Sequence, residues 1–230
     1  GEVVAVLGRN GCGKTLSLLT LAGLRQPDAG AVRLDGELMH AMRRQQIASR
    51  LALLPQDTDD IFPATVLDTA LVGRHPHIGR FRWESPQDYA RARESLATVG
   101  IADLADRDVL SLSGGERRRL AVAQILTQAP DIYLLDEPTN HLDPQHQVET
   151  LQTFRRAADG GAGVIASLHD VNLAARFADR CLLLFGDGRR EFGTTAEVLD
   201  EARLEALFGT PMEAVIWRGR RLFVAGGASP

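Results

Sequence analysis

Eight consecutive residues carry most of the chemistry that can be read in this sequence: Gly8-Arg9-Asn10-Gly11-Cys12-Gly13-Lys14-Thr15. They satisfy the pattern G-x-x-x-x-G-K-[ST], follow the apolar run 3–7 and precede a helix-compatible stretch over 16–24. Strand, glycine loop and helix in that order are the setting in which this pattern cradles phosphates. Glycines let successive backbone N–H groups point into one concavity, and the helix that begins there adds the positive end of its dipole. Lys14 is the only lysine, against 25 arginines. A compact ammonium on a flexible stem suits the β- and γ-phosphates of a nucleotide better than a planar guanidinium does. Thr15 is expected to place its hydroxyl on Mg²⁺.

Four further places have residue types suited to the same chemistry. An apolar strand over 132–135 ends in Asp136 and Glu137, and ligands of open α/β sheets bind at the carboxyl ends of strands. Beside the cradle, Asp136 would hold Mg²⁺ and Glu137 would polarise the attacking water. His169 follows the strand over 164–168, and Gln56 follows Pro55 at the end of another short strand, 51–54. Ser113-Gly114-Gly115-Glu116 forms a capping box, Ser113 at the N-cap and Glu116 three residues on, and opens an amphipathic helix. A helix start with two glycines can also present donors to a second phosphate. The run Arg117-Arg118-Arg119 that follows is expected to form a solvated helical face. His75 and His77, spaced around Pro76, are expected to be structural or surface residues, not metal ligands.

The elements that must position these residues alternate. Strand and turn signals at 31–34, Asp35-Gly36 and 37–39 mark a small hairpin. From 73 to 128 the character is helical, with Ser85, Pro86 and Asp88 opening one helix as N-cap, first residue and third residue. Strands at 132–135 and 164–168 flank a helix near 144–158, which indicates a parallel α/β sheet. A hairpin over 181–192 and a cap at Thr194 to Glu197 follow. The expected organisation is a single domain over 1–230: a nucleotide-binding core with its β subdomain over 1–72 and 129–200, a helical subdomain over 73–128, and a C-terminal extension over 201–230.

Composition narrows the class. The chain has 230 residues, 44% hydrophobic and 24% charged, with a formal net charge of −4. That is enough apolar content for a packed core, and it lacks the clustered basic excess of a nucleic-acid binder. No stretch approaches 18 uninterrupted apolar residues, the length a membrane span requires. Two cysteines, Cys12 and Cys181, are too few for a disulfide framework.

In this order the motifs resemble those of the ATPase subunit of ABC transporters, and the resemblance covers essentially the whole chain. Residues 8–15 match the family's Walker A loop, Gln56 its Q-loop glutamine, 112–116 its signature and 134–137 the end of its Walker B strand. Asn140-His141-Leu142-Asp143 matches the D-loop, and His169 the switch histidine. The resemblance implies a phosphate-loop NTPase fold: a parallel-sheet core, an inserted helical subdomain and a small antiparallel β subdomain. It also implies ATP and Mg²⁺ as ligands and a head-to-tail pair of chains. Each ATP would lie between one chain's Lys14 loop and the other's Ser113 and Gly115. Glu137 would be the general base, Gln56 and His169 would sense the γ-phosphate and metal, and Asp143 would link the two sites.

Within the family, 73–77, 139–143 and 169–174 resemble the group importing ferric siderophores, haem or cobalamin. Such a subunit would sit on the cytoplasmic face of the membrane, bound to permease subunits and served by a periplasmic or surface binding protein. The alternative is a soluble ABC ATPase acting on ribosomes or DNA, which the single cassette and the absence of a basic excess disfavour. Two departures stand out. Leu16 replaces a second hydroxyl residue that the family uses at the α-phosphate. Roughly thirty residues that precede the first strand in the family, including an aromatic that stacks on adenine, are absent ahead of Glu2, so Gly1 reads as the start of a fragment.

Overall fold

The computed structural model describes residues 1–56, 63–79 and 82–226. The chain opens with β1 (Val3–Gly8) and α1 (Lys14–Leu21), then a short hairpin of β2 (Arg33–Leu34) and β3 (Glu37–Leu38), and α2 (Arg44–Arg50) leading into β4 (Leu51–Leu54). Three helices form the next unit: α3 (Val66–Leu71), α4 (Pro86–Thr98) and α5 (Gly114–Gln128). The α/β alternation resumes with β5 (Ile132–Leu135), α6 (Pro144–Asp159), β6 (Gly163–Ser167), α7 (Val171–Phe177), β7 (Arg180–Leu184) and β8 (Arg190–Thr194). Helices α8 (Thr195–Val198) and α9 (Glu201–Phe208) and a final hairpin of β9 (Met212–Trp217) and β10 (Arg220–Ala225) complete the described chain.

Six strands form one sheet in the order β4-β5-β6-β1-β7-β8. The first five are parallel, and only β8 runs antiparallel, against β7. A parallel sheet is covered on both faces, and the five parallel strands are correspondingly apolar along most of their length. Along β5, Leu135 packs with Val3, Leu7, Phe154 and Leu183 in the main core, whereas Leu134 packs with Leu18, Leu34 and Ile47 on the other side. Because all five parallel strands point the same way, the ends of β1, β4, β5 and β6 lie along one edge of the sheet, and the residues singled out in the sequence follow those ends.

The helical unit has its own core of Val66, Ala70, Leu96, Ile101, Leu120 and Ala123. Its first helix, α3, starts at Val66. Helix α4 begins with the expected reciprocal cap: the Asp88 N–H donates to Ser85 Oγ and the Asp88 carboxylate accepts from the Ser85 N–H. Arg74 donates to the same carboxylate at 2.7 Å. That guanidinium, with the Ser85 hydroxyl, holds the Asp88 carboxyl down at about 2.

The two hairpins outside the main sheet illustrate different turn signals. Asp35 and Gly36 both adopt positive φ, 50° and 83°, as a two-residue turn between twisted strands requires. The β9–β10 hairpin, in a segment for which the sequence suggested no strands, turns through Arg218 and Gly219 with the same signs of φ. It is fixed to α7 by Asn172, whose side chain donates to the Phe223 carbonyl and accepts from the Phe223 N–H, and by the buried Phe223 ring.

Candidate functional site

The glycine loop begins where β1 runs out of partners. Gly8 is required sterically, because a Cβ there would lie 2.5 Å from Cys12 Sγ and 2.6 Å from the Leu184 carbonyl oxygen. Gly13, at φ 101°, sits immediately before α1 in a conformation closed to most side chains. Lys14 folds back beneath the loop: its Nζ donates to the Gly8 carbonyl at 2.8 Å and the Arg9 carbonyl at 3.4 Å, and the residue is only 5% exposed. The ammonium is therefore held inside the concavity by the loop's own backbone.

Three neighbouring strand ends supply the rest. Asp136 and Glu137 follow β5, and Ser167 closes β6 beside them. Ser167, fully buried, donates from Oγ to Asp136 Oδ1 at 2.6 Å and accepts from the Glu137 N–H at 2.8 Å. The Glu137 carboxylate is held from two sides, by Asn140 Nδ2 on Oε2 and by His169 Nε2 on Oε1 at 2.5 Å. A carboxylate only accepts, so Nε2 is the protonated ring nitrogen of His169. Glu137 itself has φ 47°, a left-handed conformation unusual for a residue with a side chain.

A cleft of about 510 Å³ opens between these parts, lined by Asn10, Gly11, Gly13, Lys14, Thr15, Leu16, Gln56, Glu137, Asn140 and His169. The structure thus gathers the phosphate loop, the strand-end glutamate, the histidine and the glutamine around one space. Asp136, 2% exposed, lies behind Glu137 and does not line the cleft. Gly8, Arg9 and Cys12 do not line it either. Leu16 is half-exposed on the cleft wall.

The other expected residues lie elsewhere on the chain's surface. Ser113 caps α5: its N–H and hydroxyl both donate to Glu116 Oε2 at 2.7 Å, and the Glu116 N–H returns to Ser113 Oγ. Those donors hold the Glu116 carboxyl below its usual range. Asp143 caps α6 and accepts from the His146 N–H at 3.0 Å and from Nδ1 at 2.8 Å, which lowers its carboxyl as well. Neither Ser113, Gly114 and Gly115 nor Asp143 lines the cleft. His77 contacts the Gln128 carbonyl at 2.7 Å, and His75 lies 4.0 Å from Glu84.

Three residues near the cleft had no role at it in the sequence reading, where Asn140 entered only within the D-loop match and Arg118 only within an arginine run. Ser167 and Asn140 bond Asp136 and Glu137 as described. Arg118 departs from the expected solvated face: it is buried, 5% exposed, and its guanidinium turns inward to the carbonyls at the ends of β4 and β5. The signal was its spacing. Arg118 lies three, four and seven residues before Ala121, Val122 and Ile125, the buried face of α5.

The family model described as ABC transporter matches residues 1–140. The hemin import ATP-binding protein of Pseudomonas entomophila is 45% identical over 215 residues, 91% of this chain and 82% of the relative. The cobalamin import ATP-binding protein of Halobacterium salinarum is 41% identical over 210 residues, 90% of this chain and 52% of the relative, so the chain spans about half of that protein's length. Among solved structures, a metal-chelate type ABC transporter in an inward-facing conformation superposes with a TM-score of 0.83 at 30% identity, over 98% of this chain and 88% of that one. Among the described residues no helix is long and apolar enough to cross a membrane. With the family model matched over residues 1–140 and a relative 45% identical over nine-tenths of this chain, the chain belongs to the ABC transporter family.

Proposed function

We propose that this chain is an ATP-hydrolysing subunit, peripheral on the cytoplasmic face of the membrane, that powers import of an iron chelate (a ferric siderophore or haem) or of cobalamin. Membrane permease subunits form the path, and a periplasmic or surface binding protein delivers the cargo. The observation that carries the reading is the single cleft faced by Lys14, Thr15, Gln56, Glu137 and His169. The relatives named for hemin, cobalamin, petrobactin and achromobactin transport support the cargo class.

In this mechanism the Lys14 ammonium leaves its carbonyl partners for the β- and γ-phosphates, and backbone of the glycine loop lines the rest of the cradle. Glu137 takes the proton of the attacking water. Its carboxylate offers about four lone-pair directions, of which Asn140 and His169 occupy two, so a water has somewhere to bind. His169 keeps the carboxylate aimed through Nε2 and stands on the same cleft wall. Thr15 and Gln56 on the cleft wall, with Asp136 just behind it, would supply hard oxygen ligands. One carboxylate with hydroxyl and amide oxygens fits Mg²⁺, which keeps several waters and takes its remaining ligands from substrate phosphates. Bound there, the ion would neutralise charge developing on the phosphate oxygens.

Ser113 and Gly115 lie away from their own chain's cleft, which supports a head-to-tail pair in which each chain closes the other's site and Asp143 links the two. The test is Glu137→Gln. Loss of a general base is expected to cost about 10² to 10⁴ in turnover, while ATP binding and ATP-dependent dimerisation persist. Near-normal turnover would refute the role of Glu137, and co-purification with ribosomes or DNA in place of permease subunits would refute the assignment to import.

A further inference from the structure

The side chain of Arg118 crosses from the signature helix into the catalytic edge of the sheet. Its Nη1 donates to the Pro55 and Gln56 carbonyls at 2.6 and 3.1 Å, and its Nη2 donates to the Asp136 and Glu137 carbonyls, both at 2.7 Å. Pro55 and Gln56 follow β4, Asp136 and Glu137 follow β5, and these two strands are direct neighbours with Leu54 beside Leu135. One rigid cation therefore bridges two adjacent strand ends and the helix that Ser113 caps.

The arrangement is specific to a guanidinium. Its donors form a planar fork whose two terminal nitrogens are fixed relative to each other, whereas an ammonium is a single point that can serve one carbonyl pair. The second pair also depends on the unusual backbone of Glu137. At φ 47° its carbonyl turns to the same side as that of Asp136, so both reach one nitrogen. A left-handed non-glycine residue persists only where its surroundings over-determine it. Here Ser167 grips the Glu137 N–H and Arg118 grips the carbonyls before and after the side chain.

We propose that Arg118 is a positioning residue. It fixes the backbone of Glu137 and of Gln56 relative to each other, and it couples both to the helix that carries Ser113. A shift of that helix, such as engagement of Ser113 by a second chain's nucleotide, then reaches the hydrolytic carboxylate through one side chain. The consequence for rate rests on the ATPase reading above; the consequence for the backbone does not.

The experiment compares the full-length protein with Arg118→Lys and Arg118→Gln. It measures ATP turnover against ATP concentration, the thermal midpoint, and amide hydrogen exchange of the segment 136–140. Arg118→Lys is expected to lower kcat about tenfold or more with KM for ATP within about threefold, the pattern of an interaction realised in the transition state and not in substrate binding. Exchange across 136–140 is expected to quicken about tenfold while β6 and α6 keep their protection. A purely structural role would lower the thermal midpoint and leave kcat per folded molecule unchanged, and that result overturns the proposal. Should the glutamine variant fail to fold, the lysine variant decides. Should the parent itself fail to hydrolyse ATP, the ATPase reading falls, and exchange still decides this one: unchanged protection of 136–140 in Arg118→Lys overturns it.

Discussion

Replacing Ser167 with alanine removes one oxygen from the centre of the site, and its effect can be worked out from three atoms. Ser167 Oγ donates to the Asp136 carboxylate and accepts from the Glu137 N–H, and both partners are buried along with Ser167 itself. Hydrogen bonds to charged groups contribute about 1.5 to 3 kcal/mol, and a buried donor left without a partner costs about 1 to 3 kcal/mol. The two terms share one hydroxyl and do not simply add, so a destabilisation of roughly 2 to 5 kcal/mol is expected, a large share of a typical domain's total. Urea unfolding of the nucleotide-free protein is the assay: the midpoint should fall with an unchanged slope. A cycle with Asp136→Ala isolates the serine–carboxylate bond and should show coupling of about 1 kcal/mol or more. Turnover should fall as well, because the Glu137 N–H loses one of the anchors that hold its left-handed backbone. A loss below about 0.5 kcal/mol, or additivity with Asp136→Ala, would show that the hydroxyl does not hold these strand ends together.

Acid sensitivity and lysine chemistry give two more tests. Asp88 has its carboxyl held at about 2 by Arg74 and Ser85, both part-buried with it. A carboxyl depressed on folding stabilises the protein above its unfolded value near 4 and loses that contribution as pH falls towards 2. Asp88→Asn should therefore cost about 2 kcal/mol at pH 7, with the gap from the parent closing between pH 4 and 2; a gap independent of pH would refute the ion-pair account. Lys14 is the only lysine and is nearly buried, so a lysine-directed reagent should modify it slowly, and ATP should slow it further. Mass spectrometry that found Lys14 modified equally fast with and without ATP would refute its place in the cradle.

The sequence revealed most of this where a local rule and the global fold agree. Asp-Gly between short apolar runs, Ser85 with Asp88, and Ser113 with Glu116 each act over four residues, and each forms as its spacing implies. Lys14, Glu137, Gln56 and His169 were legible for a related reason: each follows a strand, and a parallel sheet brings such residues to one edge. The residues that escaped notice act across the chain. Ser167 is a small polar residue in an apolar strand, and its value comes only from β5 lying beside β6. Arg118 was hidden by its neighbours, since a triple arginine reads as a charged surface until the buried period of α5 singles out its middle member. The β9–β10 hairpin turns at Arg-Gly, outside the Asn-Gly and Asp-Gly pairs that announce such turns, so alternation alone had to mark it.

The place of β1 in the sheet has a consequence in time. The strand that leads into the phosphate loop lies between β6 and β7, with Val3 beside Val164 and Val4 beside Arg180. At about 5 to 20 residues per second of synthesis, roughly 8 to 30 s pass between the appearance of β1 and that of its first partner. For that interval Val3-Val4-Ala5-Val6-Leu7 is an apolar strand with two unpaired edges, the kind of segment that recruits other chains. Neither β4 nor β5 pairs with it, so their earlier arrival gives no shelter. The sheet can close around β1 only after β6 and then β7 have emerged, and the protein is most exposed to aggregation as a nascent chain, while β1 is still waiting for the last parallel strand.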